Sequence, residues 1–295
     1  MGVAMQMNKA CVNHHASCRN IKYDKKVITC QKQTDYRKNK NSPSDSGLGG
    51  LSVLREAIKL MPKEDFIYYG DSLHAPYGVK PQAEIRDLTF AVVEKLLDMG
   101  IKGLAVACNT ATSAAVRLLR NTYPELPIVG IEPAVKPAVT ESHGGRILVM
   151  ATPMTLKQEK FQNLLAKYRE QADIVPVQCD GLMEFVEHGD LDGQELDDYF
   201  AEKLSPVLTD DTESIVLGCT HYPFLKKELR HFLGDRDIHL IDGSLGTSRE
   251  LMRRLKVQGL LRTDDHKGKV RIMNSSGRQE LIDLSLKLLN LPDYE

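Results

Sequence analysis

The chain has 295 residues, 42% of them hydrophobic, and a formal net charge of −1, a size and composition that fit about two globular domains. No uninterrupted apolar run reaches the length of a membrane helix, and the first 20 residues lack the apolar stretch of a secretory signal, so a cytoplasmic setting is expected. Six irregularly spaced cysteines without a Cys-x-x-Cys pair argue for free thiols rather than a disulfide scaffold or a structural zinc ribbon.

The charge is unevenly spread. Residues 1–44 hold nine Lys/Arg against two Asp, and the rest hold 30 Lys/Arg against 38 Asp/Glu. The opening stretch reads as a basic, disordered N-terminal extension on an acidic body; contact with nucleic acid or another acidic partner is its remoter reading. Inside it, Val27-Ile28-Thr29-Cys30 is a candidate short strand. Cys11, His14, His15 and Cys18 carry metal-ligand atoms at a spacing that matches no zinc pattern, and no metal is expected.

From residue 45 the pattern sharpens. Asp45-Ser46-Gly47-Leu48-Gly49-Gly50 is a glycine-rich turn, without the Lys-Ser/Thr of a phosphate loop. It opens an amphipathic helix over 51–61, with Leu51, Val53, Leu54, Ala57, Ile58 and Met61 on one face and Pro62 as its stop. Then follow a strand over 66–69, a loop over 71–78, a helix over 82–99, a strand over 104–107, a helix over 112–120 and a strand over 128–131. A second unit repeats the rhythm, with strands over 146–150, 174–178, 214–217 and 238–241 and helices over 156–168, 181–188, 192–204, 224–232 and 248–256. A late strand over 270–273 and a helix over 280–289 close the chain. Alternating strands and helices predict an α/β fold: two similar domains, each a parallel sheet flanked by helices, with ligands beyond the carboxyl ends of the strands.

Two of those ends carry thiols. Ala107-Cys108-Asn109-Thr110-Ala111 follows one strand, and Leu217-Gly218-Cys219-Thr220-His221-Tyr222-Pro223 follows another. A cysteine after a strand is usually a small core residue. Here Asn109, Thr110 and Thr112 crowd the first strand end, and the amides of a helix start there suit a carboxylate. His221 is close enough in sequence to Cys219 to relay a proton. Two such thiols on either side of one bound molecule can remove a proton from one face and return one to the other. A Cys219–His221 hydrolase dyad is the rival reading, but it leaves Cys108 idle. Cys179 lacks polar company and reads as structural.

These runs, with Tyr69-Gly70-Asp71, Pro76-Tyr77-Gly78, Ile131-Glu132-Pro133-Ala134 and Ala151-Thr152-Pro153, resemble the aspartate/glutamate racemase superfamily, and within it the racemases of glutamate. The resemblance covers residues 45–290. It implies two α/β domains, the first built of 45–133 plus 242–295 and the second of 134–241, with the active site in the cleft between them. It implies a cofactor-free exchange of L- and D-glutamate, the D-isomer feeding peptidoglycan precursors. Cys108 and Cys219 become the acid/base thiols, and Asp45 and His221 their helpers. Ser46, Tyr77, Gly78, Asn109, Thr110 and Thr220 become substrate contacts, with Glu132 a further member. A homodimer and a contact with DNA gyrase are compatible with the resemblance. A racemase for another acidic amino acid, and a catalytically impaired relative acting as a binding protein, are its alternatives.

One departure motivates the last alternative. The family places an apolar strand directly before the Asp-Ser-Gly run, where this chain reads Lys38-Asn39-Lys40-Asn41-Ser42-Pro43-Ser44. The first strand is expected to be missing or replaced; if residues 27–30 replace it, residues 31–44 must loop out.

Overall fold

The computed structural model describes residues 26–31, 47–74, 77 and 80–290. In chain order they form β1 (Lys26–Gln31), α1 (Leu51–Leu60), β2 (Asp65–Gly70), α2 (Gln82–Asp98), β3 (Ile101–Val106), α3 (Asn109–Thr122), β4 (Ile128–Gly130), α4 (Val135–Glu141), β5 (Arg146–Ala151), α5 (Pro153–Lys157), α6 (Glu159–Tyr168), β6 (Asp173–Gln178), α7 (Leu182–His188), α8 (Gln194–Leu204), β7 (Thr212–Leu217), α9 (Lys226–Leu233), β8 (His239–Asp242), α10 (Ser244–Val257), β9 (Val270–Asn274) and α11 (Gln279–Leu289). The strands make two parallel sheets, ordered β4-β3-β1-β2-β9 and β6-β5-β7-β8.

β1 is the centre of the first sheet, pairing Val27 with Phe66 of β2 on one side and with Gly103 of β3 on the other. Of the two expectations for the first strand, missing or replaced, the structure has it replaced by the stretch around residues 27–30. The apolar strand exists, but it lies well upstream of the glycine-rich turn, and the stretch between them lies outside the described residues. The physical reason is that a parallel sheet needs a central strand of Val/Ile type, and 27–30 is the nearest stretch that supplies one. Pro176 sits in β6, at an edge, where a missing N–H costs no ladder bond.

Other boundaries moved for local reasons. The helix expected over 156–168 is two, because Gln158 is extended (φ −70°, ψ 129°) between α5 and α6. α3 starts at Asn109, with Cys108 as its cap. α10 starts at Ser244, where Ser244 Oγ donates to Ser52 Oγ (3.1 Å) and Ser248 Oγ to Val53 O (3.0 Å), fastening it to α1.

The core is shared. One apolar cluster runs from Leu51 and Leu54 of α1 and Tyr68 of β2 to Leu148, Ile215, Phe200 and Leu229 around the second sheet. A second cluster, with Ile67, Val93, Leu96 and Leu104, packs α2 and α3 on the first sheet and includes Tyr77 and Cys108. At the start of β3, Lys102 is buried with Glu64: its Nζ lies 2.5 Å from Glu64 Oε2 and donates to Leu260 O at 2.7 Å. Glu64 Oε1 accepts from Arg262 N at 2.7 Å. The pair binds the stretch returning toward β9 to the base of the first sheet.

Candidate active site

β3 and β7 deliver the two thiols. Cys108 is 9% exposed, and its Sγ accepts from Ala111 N at 3.5 Å, as an N-cap of α3. A helix start favours negative charge at that sulfur. Cys219 follows Gly218 and is half-buried. Gly218 is required there: a Cβ would lie 2.6 Å from Met150 O, the carbonyl that its own N–H bonds at 2.8 Å. The two turns meet directly, because Asn109 Nδ2 donates to Gly218 O at 3.0 Å.

His221 is fully buried behind Cys219, with Nδ1 3.6 Å from Sγ. Its Nε2 lies 2.6 Å from Oε1 of Glu187, a buried carboxylate on α7. Burial pulls the imidazole's pKa down, but the Cys219 sulfur and the Glu187 carboxylate more than offset this and raise it to about 10. A proton on this ring lies between two groups that take negative charge. Nε2 also lies 3.0 Å from Gly49 N in the glycine-rich turn. A protonated Nε2 has no lone pair for that amide, so the Glu187 and Gly49 contacts belong to different protonation states of the ring.

Of the other expected residues, Asn109, Glu132, Cys219 and Thr220 line one small cavity of about 10 Å³. Thr220 is buried, Thr110 is half-buried in the first turn of α3, and Glu132 is exposed just beyond β4. Tyr77 is buried in the same apolar cluster as Cys108, and its OH donates to Asp71 Oδ2 at 3.3 Å. Asp45, Ser46 and Gly78, like Cys11, His14, His15 and Cys18, lie outside the described residues. Cys179 is buried at the end of β6, and burial pushes its thiol up to about 12.

The small cavity adjoins a much larger groove of about 1170 Å³ along the crossings between the sheets, at Pro133–Ala134 and Asp242–Gly243. Gly243 permits that crossing, since a Cβ would meet Glu132 O at 2.6 Å. The groove is lined by neither thiol; Cys219, but not Cys108, lines the smaller space. Among the described residues no helix is long and apolar enough to cross a membrane.

Sequence reasoning missed Glu187. A signal was available: on the helix 181–188 it falls four residues after Met183 and beside Val186, an acid on the apolar face. In the sequence Asp71 stands out only as part of the Tyr69-Gly70-Asp71 run, whereas in the structure it holds both Tyr77 and, at 2.9 Å, His74 Nδ1.

The chain is similar to known proteins over most of its length. Residues 49–245 match the family model described as Asp/Glu/Hydantoin racemase. A glutamate racemase of Clostridium botulinum (strain Alaska E43 / Type E3) is 54% identical over 245 residues, spanning 83% of this chain and 95% of that protein. The structure resembles glutamate racemase from Bacillus anthracis (TM-score 0.74, 28% identity, 90% of this chain and 94% of that one). It also resembles the Escherichia coli enzyme in complex with L-glutamate (TM-score 0.69, 26% identity, 89% and 95%). With a family model over most of its length and a relative at this identity, the chain belongs to the Asp/Glu/Hydantoin racemase family.

Proposed function

We propose that this protein is an isomerase that interconverts L- and D-glutamate without a cofactor, using Cys108 and Cys219 as the two acid/base groups. The observation that carries the reading is the hydrogen bond from Asn109 to Gly218, which joins the two cysteine-bearing strand ends. In this reading residues 45–133 plus 242–295 form one domain, 134–241 the other, and the substrate lies between them. The D-glutamate formed supplies peptidoglycan precursors in the cytoplasm.

Racemisation breaks the Cα–H bond on one face and remakes it on the other. One sulfur begins as thiolate and takes the proton; the opposing thiol gives its own. A turnover near 10 s⁻¹ corresponds to a barrier of about 16 kcal/mol, and a positioned acid or base typically supplies about 10²–10⁴-fold. Fixed dipoles must supply much of the remainder. The first turn of α3 with Asn109 and Thr110, and Thr220 opposite, suit the substrate carboxylates. The substrate ammonium itself acidifies Cα. The His221 imidazolium, held by Glu187, is the counter-ion for a thiolate at Cys219. Asp45 is assigned the role of base for the Cys108 thiol, and Ser46, Tyr77, Gly78 and Glu132 complete the substrate contacts.

The test is polarimetric. Purified protein with L-glutamate is expected to bring optical rotation to zero, and to do so far faster than with L-aspartate. Faster loss with L-aspartate would assign another acidic substrate. A thermal shift with D-glutamate but no loss of rotation would make the protein a binder.

A further inference from the structure

The loop between β2 and α2 carries Tyr77, yet its opening residues have little apolar anchorage. Leu73 is 62% exposed, and the 3₁₀ turn Ser72–His74 buries no residue. Three polar contacts that hold this opening come from the far end of the chain. Ser275 Oγ accepts from Leu73 N at 2.8 Å, Asn274 Nδ2 donates to Ser72 Oγ at 2.8 Å, and Ser275 N donates to Gly70 O at 2.8 Å. The Asn274 amide is itself fixed, because its Oδ1 accepts from Ser276 N (2.9 Å) and Ser276 Oγ (2.7 Å), which turns Nδ2 toward Ser72. Gly277, at φ +68°, then reverses the chain into α11.

We propose that the turn after β9, through Asn274 and Ser275, is a positioning element for substrate binding that fixes where the Tyr77 loop leaves the sheet. This rests on the reading of Tyr77 as a substrate contact. The first sheet places β9 beside β2, so the two carboxyl ends and the connections after them are neighbours. Asp71 passes the constraint on: fixed at the end of β2, its carboxylate holds the Tyr77 phenol and the His74 ring. Neither Asn274 nor Ser275 need touch the reacting atoms. Loosening them lets the loop sample orientations in which the phenol is misplaced, and the bound state must then bear the ordering cost.

The experiment uses the full chain and steady-state racemisation of L-glutamate. Ser275→Ala and Asn274→Ala are each expected to raise KM about tenfold with kcat changed less than about threefold, the pattern of lost uniform binding. Ser275→Thr, which keeps the hydroxyl, restores KM. Tyr77→Phe raises KM on its own, and Ser275→Ala added to it has little further effect, because both act through one phenol. An unchanged KM in Ser275→Ala, with Tyr77→Phe impaired, overturns the positioning role and leaves the substrate contact standing. Full additivity of the two overturns it as well, since Ser275 would then act elsewhere. An unchanged KM in Tyr77→Phe removes the contact and the positioning role together.

Discussion

Replacing either Cys108 or Cys219 by alanine is expected to lower kcat for L-glutamate by at least about 10³-fold, in line with the loss of a positioned acid or base. In the two-thiol mechanism proposed above each sulfur has a separate duty, so neither variant can be rescued by the other. The fold should survive both changes. Cys108 sits at a strand end where alanine, a small residue of similar packing, gives up the weak cap contact from Ala111 N. Cys219 is half-buried and its backbone carbonyl, not its side chain, accepts from Tyr222 N. Circular dichroism and Tm near the parent value, with racemisation absent, are the expected pair of results. Near-full turnover in either variant would remove that thiol from the chemistry.

Lys102→Met is expected to be the most damaging single change to stability away from the site. Its ammonium is the ionic partner of a carboxylate 2% exposed. Truncating one member of a buried pair typically costs about 3–5 kcal/mol, because the other charge stays desolvated and uncompensated. For a chain of this size that corresponds to a fall in Tm on the order of 10 °C. Glu64 keeps the Arg262 N–H, but Leu260 O loses its donor, and the return toward β9 loosens. Changing Glu64 to Met in the same chain should cost much less than the sum of the two single changes, since no unpaired charge remains. Denaturant unfolding of the three variants measures this. Equal, additive and small losses would show that the pair is not an energetic unit.

Much of this fold is visible in the apolar periodicity. The alternation of strand and helix from residue 51 onward is carried by side chains that face a core, so it survives translation into structure. What was hidden depended on partners distant in sequence. Lys102 interrupts an apolar run, so the pattern predicts β3 from 104 rather than from its actual start at Ile101; the carboxylate that makes a buried lysine tolerable is Glu64, which no local window contains. β1 was legible as a strand but not as the central one, because its place is set by pairing with β2 and β3 and not by its own six residues. The candidate site divides the same way. The thiols, His221, Asn109 and the threonines announce themselves by clustering at strand ends, whereas Glu187 reaches His221 from a separate helix and the turn after β9 reaches the Tyr77 loop from nearly the other end of the chain. Contacts between segments, rather than patterns within them, decide those parts.

The claim of two opposed thiols is tested most directly by racemising L-glutamate in D₂O and following the isotope at Cα during the first few per cent of reaction. Separate donors on the two faces predict that each newly formed D-glutamate carries deuterium, while the L-glutamate still present keeps its protium. D-glutamate that retains the original protium, or deuterium appearing equally in substrate and product, would mean that one group serves both faces and would contradict the account.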